Sequence, residues 1–142
     1  MLIRCRGLTI WTIGHGSLSK EKFLGLLKKH RIRVLVDVRR FPRSRLEHFC
    51  REEMEKWLPE NGIAYFWLGE ELGGYRREGY EKYMETMSFK EGVRKLLEIA
   101  EKSRTCIMCL ETDPKYCHRR LIASYLSKKR VRVLHIVKQR KK

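Results

Sequence analysis

Residues 105–126 read TCIMCLETDPKYCHRRLIASYL, and this stretch predicts a strand followed by a helix. The run from Cys106 to Leu110 is apolar on both faces, which is typical of a buried strand in a parallel sheet. Asp113 and Pro114 predict the start of the helix, because Asp caps helices and Pro fits their first position. The buried stripe of this helix is predicted to be Leu121, Ile122, Tyr125 and Leu126. A strand that leads into a helix in this way is typical of the α/β class.

The same alternation continues along the rest of the chain. Further strands are predicted at residues 8–13, 34–38, 63–68 and 131–137, where β-branched and aromatic residues concentrate. Ser19 is predicted to cap a first helix, and a second helix covers residues 52–59. A long glycine-rich loop is predicted at 69–79. Two short helical segments follow it, and the second is predicted to open with the capping box Ser88-Phe-Lys-Glu91.

We therefore predict a single three-layer α/β domain over residues 1–142, with a basic tail at 138–142. Its sheet should be mostly parallel, with about five strands and with helices on both faces. Segments 8–13, 34–38 and 106–110 should be interior strands, because their apolar runs are nearly continuous. The pattern leaves the order of the strands open.

The charge of the chain favours an anionic partner. Lys and Arg total 33 against 17 acidic residues, a formal net charge of +16. Such a field attracts nucleic acid, nucleotides or small phosphorylated substrates. No apolar run approaches the ~20 residues needed to cross a bilayer, and no signal-peptide pattern is present, so we expect a cytoplasmic protein without a membrane partner. The five cysteines form no disulfide-scaffold pattern, so reduced thiols are expected.

Polar and glycine residues follow the first two interior strands, at the sheet edge where α/β proteins bind ligands. Gly14 would let the backbone approach a ligand closely, and His15 could act as an acid, a base or a metal ligand. Asp37 interrupts an apolar strand, and Arg39 lies on the same face two residues later. These two form either a structural ion pair or a site in which Arg39 binds a substrate anion, with Ser44 in the following loop.

The third interior strand is followed by the densest group of reactive side chains. Cys109 and Glu111 end the strand, and Cys117, His118 and Arg119 are predicted in the first turn of the next helix. The positive helix end and the neighbouring arginine would stabilise a thiolate or a bound anion. Burial beside the apolar stripe would oppose the thiolate. A polar pair inserted into a buried stripe is difficult to explain by packing alone, so a chemical role is favoured.

The glycine-rich loop at 69–79 is predicted to form either a flap over this cleft or a passive surface loop. Gly73, Gly74 and Tyr75 are its candidate substrate-binding residues, and Tyr75 and Arg76 are expected near its tip.

Four motifs in this order resemble the domain-of-unknown-function family 488: TIGHG at 12–16, DVRRFPRSR at 37–45, LGEELGGYR at 68–76 and CLETDPKYCHRRLIA at 109–123. The resemblance implies a compact α/β fold and a set of signature positions, but it implies no reaction. The signature positions are Gly14, His15, Asp37, Arg39, Pro42, Ser44, Leu72 to Gly74, Cys109, Glu111, Cys117, His118 and Arg119. The loop at 45–50 departs from the family pattern, because Cys50 stands where an amide is usual.

These observations favour an enzyme that acts on a phosphorylated or nucleic-acid-derived substrate. The candidate nucleophiles are Cys117 and Cys109, and the candidate bases are His15 and His118. The candidate carboxylates for general acid–base catalysis are Asp37 and Glu111. The anion would be held by Arg39 and Arg119. The sequence does not identify a cofactor.

Two other functions remain open at this point. A metal-site protein would use Cys109, Cys117, His118 and His15, although the adjacent Cys117 and His118 could not easily bind one metal from a regular helix. A non-catalytic nucleic-acid-binding protein would use the basic field with Tyr75, Arg76, Arg77 and Tyr80.

Overall fold

The computed structural model of the chain describes residues 7–113 and 117–137. The strands are β1 (Thr9–Gly14), β2 (Val34–Asp37), β3 (Ala64–Trp67), β4 (Thr105–Cys109) and β5 (Arg132–Ile136). The helices are α1 (Lys20–Lys29), α2 (Arg51–Glu60), α3 (Gly69–Leu72), α4 (Tyr80–Tyr83), α5 (Met87–Lys102) and α6 (Arg119–Lys128). A short 3-10 helix, Glu47–Phe49, precedes α2. The predicted basic tail at 138–142 lies outside the described residues.

The five strands form one parallel sheet in the order β3-β2-β4-β1-β5. The three strands predicted to be interior are therefore interior, and β3 and β5 lie at the edges. The physical reason is that β1, β2 and β4 offer apolar side chains to both faces, and such strands are stable only where both faces are covered. The predicted fold class is confirmed.

Helices cover both faces of the sheet. Helices α1 and α2 pack on the face that carries Trp11, Ile13, Leu35, Cys106 and Met108. Helices α5 and α6 pack on the other face, against Ile10, Val34, Val36 and Ile107. Each fully buried side chain of this size contributes roughly 1.5–3 kcal/mol to stability.

Three local predictions were wrong. The loop predicted at 69–79 begins with helix α3. Helix α5 starts at Met87 and has 16 residues, and its cap is the Thr86 side chain, which accepts from the backbone N–H of Phe89, so the capping box predicted at Ser88 is not used. Helix α6 begins at Arg119, so Cys117 and His118 precede the helix instead of lying in its first turn. Pro114, the predicted first helical residue, lies outside the described residues.

The strand order creates a crevice at the carboxyl ends of β2 and β4. The chain leaves β2 towards β3 on one side and leaves β4 towards β5 on the other. The loops that follow these neighbouring strands therefore separate, and this divergence is where open α/β sheets bind ligands. None of the helices in the described residues is long and apolar enough to cross a membrane.

Candidate functional site

A cavity of about 720 Å³ opens at this crevice. Residues after β2 form one wall, and Cys109 to Glu111 at the end of β4 form another. Gly74 and Tyr75 approach from the segment that follows α3, and Cys117 and His118 complete the lining. Seven positions predicted as site residues therefore line this cavity: Arg39, Gly74, Tyr75, Cys109, Glu111, Cys117 and His118.

The His118 ring is oriented by a backbone carbonyl. Its Nε2 lies 3.2 Å from the carbonyl oxygen of Val38, and its Nδ1 lies 3.8 Å from Sγ of Cys117. The carbonyl of Val38 only accepts, so the tautomer that donates from Nε2 leaves the lone pair of Nδ1 towards the sulfur, and the carbonyl of Leu72 also bonds the ring. Burial lowers the pKa of His118 to about 4, so the ring is neutral at pH 7, and the same burial makes it a weaker base than an exposed histidine.

Gly74 and Tyr80 enclose the same ring. A Cβ built on Gly74 would lie 3.3 Å from Nδ1 of His118, so a larger residue here would crowd the ring. The Tyr80 ring lies 5.1 Å from the His118 ring, and its hydroxyl donates to the carbonyl oxygen of Leu72 at 2.7 Å. Tyr80 is therefore part of the support of His118, and its hydroxyl is already used within the fold.

Sγ of Cys109 and Sγ of Cys117 lie together as a disulfide pair in this structure, whereas the sequence predicts reduced thiols. The end of β4 and the residues just before α6, eight apart in sequence, come to one point above the sheet. Cys106 is a free thiol buried on the opposite face, and burial raises its pKa. Cys50 is also free. Sequence spacing could not predict the pairing, because a separation of eight residues does not fix the distance between two cysteines in the fold.

Arg39 and Asp37 form a buried ion pair behind the cavity wall. Nε and Nη2 of Arg39 donate to the two carboxylate oxygens at 2.9 and 2.7 Å, and the backbone N–H of Arg39 also donates. The Tyr65 hydroxyl adds a bond of 2.5 Å to the same carboxylate. Burial opposes the charge of Arg39, but its contact with Asp37 raises its pKa above the ordinary value. The structure thus shows the ion pair between these residues, and it also places Arg39 in the cavity lining.

His15 is buried on the α2 side of the sheet and does not line the cavity. Its Nδ1 donates to the carbonyl oxygen of Gly16 at 2.9 Å, and its ring stacks on Phe49 with 4.4 Å between centroids. Nε2 lies 3.4 Å from Nη1 of Arg39. Burial lowers the pKa of His15 to about 4. The expectation that His15 and Asp37 line one cleft with Cys117 was wrong, because residues 15 and 37 point to one face of the sheet and residue 109 to the other.

Arg119 is fully buried, and its guanidinium donates hydrogen bonds to other residues of the fold. Its Nη1 donates to Oγ1 of Thr12 at 3.0 Å, and its Nη2 donates to the carbonyl oxygens of Glu111 and Thr112, each at 2.9 Å. Burial lowers its pKa below the ordinary value. The side chain holds the segment after β4 in place and is not in the cavity lining. Glu111 does line the cavity, with an exposed side chain.

The other predicted binding residues have packing roles. A Cβ on Gly14 would lie 1.6 Å from the carbonyl oxygen of Glu111, so only glycine allows β1 to end there. Gly73 packs against Arg40 in the same way. Ser44 accepts from the backbone N–H of Leu46 at 3.1 Å and stabilises its own loop.

The mouth of the cavity contains residues that the sequence analysis did not select. Arg40, Phe41 and Arg43 follow Arg39 in the chain, and Leu110 follows β4. Their signal was their position directly after interior strands, which is the same criterion that selected Arg39 and Glu111. Among the described residues no group of three or more His, Cys, Asp or Glu could hold a metal ion.

A family model described as "Domain of unknown function DUF488" matches residues 19–126, which is well over half of the chain. No curated protein and no solved structure matches.

Proposed function

The chain belongs to the DUF488 family, and we propose that it is an enzyme acting on a phosphorylated or nucleic-acid-derived substrate in the cavity between β2 and β4. The observation that carries the proposal is the pairing of Cys117 with His118. An unprotonated Nδ1 faces a sulfur at 3.8 Å in a cavity lined by arginines. A base oriented by a third group and directed at a thiol is the arrangement that activates a cysteine nucleophile.

The charge of the cavity supports an anionic substrate. Arg39, Arg40, Arg43 and Arg76 line it, and Glu111 is the one carboxylate among the described residues that line it. Asp37 occupies Nε and Nη2 of Arg39, which leaves Nη1 for other partners. Nη1 has two N–H donors, and His15 accepts at most one of them. The guanidinium of Arg39 is thus engaged by His15 and Asp37, which act as positioning residues for it, and the arginines left to bind a phosphate or carboxylate oxygen are Arg40, Arg43 and Arg76.

The proposed chemistry requires the reduced protein. A thiol reductant first converts the disulfide to two thiols and is itself oxidised. Nδ1 of His118 then takes the proton of the Cys117 thiol, and Sγ forms a bond to the electrophilic phosphorus or carbon of the substrate. The leaving group departs with the bonding electron pair and takes the proton from His118. Water, deprotonated by His118, finally attacks the phosphorus or carbon and displaces Cys117 as a thiolate, which takes the proton back from His118. We propose the cytoplasm as the location, because glutathione and thioredoxin keep thiols reduced there.

Alkylation of the reduced protein tests the proposal. In dithiothreitol, iodoacetamide should label Cys117 faster than Cys106, which serves as a buried control in the same molecule. Inorganic pyrophosphate should slow the labelling of Cys117 and leave that of Cys106 unchanged. The substitution His118→Gln should also slow it, because the base is lost. Mass spectrometry of the digested protein gives each rate separately.

Two results would count against the proposal. If Cys117 reacts no faster than Cys106, the nucleophile is wrong and a non-catalytic nucleic-acid-binding function is favoured instead. If Cys117 reacts quickly but pyrophosphate gives no protection at millimolar concentration, the anionic substrate is wrong.

A further inference from the structure

Three exposed apolar side chains surround the mouth of the cavity. Tyr75 is 82% exposed, Phe41 63% and Leu110 51%. Among the described residues only three other large apolar side chains are exposed, and none of them lines this cavity. Exposed apolar side chains that cluster beside charged residues mark a binding surface, because a bound ligand removes their apolar area from water. We call the two rings of Phe41 and Tyr75, together with the neighbouring Leu110, the aromatic mouth.

Tyr75 is held in an unfavourable backbone conformation. Its φ is +59°, in the left-handed region that bulky side chains rarely adopt. The other non-glycine residues with positive φ, Arg31 and Arg130, lie just after the ends of α1 and α6, where this conformation is common. Tyr75 does not directly follow the end of a helix, so this explanation does not apply to it. The Arg40 guanidinium donates to its carbonyl oxygen at 2.7 Å and keeps the ring at the mouth.

The rings of Phe41 and Tyr75 form a bent platform. Their centroids are 5.9 Å apart and their planes are tilted by 44°. The Arg40 guanidinium lies 5.8 Å from the centre of the Phe41 ring. Within the described residues, no hydrogen bond or ion pair engages the Arg43 guanidinium, which lines the same cavity. A ligand at this mouth therefore meets aromatic faces and cations together.

Of the ligands that such a surface could bind, a nucleotide fits best. An uncharged lipid or an apolar peptide would desolvate the arginines without neutralising them. A phosphorylated sugar would satisfy the arginines and leave the rings exposed. A nucleobase stacks on aromatic rings while its phosphate binds arginines, the combination by which proteins hold single-stranded nucleic acid.

We infer that the aromatic mouth is a stacking site for a nucleobase, so that the substrate class of the cavity is a nucleotide unit. This inference rests on the proposed function, since it uses the same arginines for the phosphate.

Calorimetric titration of the reduced protein with AMP and with ribose 5-phosphate tests the inference. The two ligands carry the same phosphate group and differ in the base. AMP should bind about 5- to 150-fold more tightly, the range that stacking of one base gives. Tyr75→Ala should weaken AMP binding towards that of ribose 5-phosphate, and Tyr75→Phe should retain it. Phe66→Ala is the matched control, because Phe66 is exposed on β3 and does not line the cavity.

The outcomes separate the two proposals. Equal affinity for AMP and ribose 5-phosphate overturns the stacking site but leaves the anionic cavity intact. Equal weakening of both ligands by Tyr75→Ala also overturns it, because the ring would then only maintain the loop. If neither ligand binds at millimolar concentration, the proposed function itself is wrong. Tighter binding of a short single-stranded oligonucleotide than of AMP would support the stacking site and identify a nucleic-acid strand as the source of the base.

Discussion

Replacing Asp37 by Asn should destabilise the protein more than any change at its surface. The Asp37 carboxylate is fully buried and accepts hydrogen bonds from the Arg39 side chain, from the Arg39 backbone and from Tyr65. An amide at this position turns a donor towards one of these donors. It also leaves the guanidinium of Arg39, which is 6% exposed, without a counter-charge. Removing one partner of a buried ion pair costs about 3–5 kcal/mol.

The loss can be measured by urea unfolding followed by circular dichroism. For a chain of this size it corresponds to a fall in melting temperature of about 10–17 °C. The slope of the unfolding free energy against urea should stay unchanged, because the same surface is exposed on unfolding. Glu55→Gln is the control. Glu55 pairs with Arg51 on the exposed face of α2, and its loss should leave the transition nearly where it was.

A double substitution separates the charge from the packing. Asp37→Leu combined with Arg39→Met removes both charges and keeps apolar volume, so it should cost less than Asp37→Asn alone. If Asp37→Asn costs less than about 1 kcal/mol, a value typical of one neutral hydrogen bond, then the guanidinium finds another partner or reaches water. The account of Arg39 as a side chain positioned by Asp37 would then be wrong.

Three further outcomes are expected. Gly69→Ala should destabilise the fold by about 1–3 kcal/mol or more, because its Cβ would lie 1.9 Å from the carbonyl oxygen of Arg39. An unchanged urea midpoint would contradict this packing. The free energy of unfolding should decrease as the pH falls from 6.5 towards about 4, since His15 and His118 are held neutral in the fold while the unfolded chain takes up protons. If neither His15→Gln nor His118→Gln reduces this loss of stability, burial of the two rings does not explain it. In protein kept free of reductant, alkylation after denaturation should label Cys106 but not Cys117, as measured by peptide mass spectrometry. Labelling of both cysteines would show that the disulfide does not form.

Much of the architecture follows from local pattern. Nearly continuous apolar runs at 34–38 and 106–110 predict strands covered on both faces, because apolar strands exposed to solvent are unstable. The Ser19 cap of α1 was also confirmed, with its side chain accepting from the backbone N–H of Lys22 at 3.2 Å. Capping depends on residues within one turn, so sequence is sufficient for it. Where two capping residues lie close together, as Thr86 and Ser88 do, packing of the helix decides between them.

The site was predictable in position and only partly in composition. Strand ends indicated Arg39, Cys109 and Glu111, because the carboxyl ends of parallel strands always meet at one edge. Alternation along a strand also predicted that Asp37 and Arg39 share a face, and they form a buried ion pair.

Which groups face each other across that edge was decided only by the tertiary structure. The order β3-β2-β4-β1-β5 brings the ends of β2 and β4 together, and no local pattern contains strand order. The turn after β4 joins Cys109 to Cys117, and the Val38 carbonyl orients His118 from 80 residues away. Contacts over such separations depend on how the helices pack on the sheet. The sequence by itself therefore determined the class of the fold and the edge that carries the site, while long-range packing decided which of the candidate residues share one cavity.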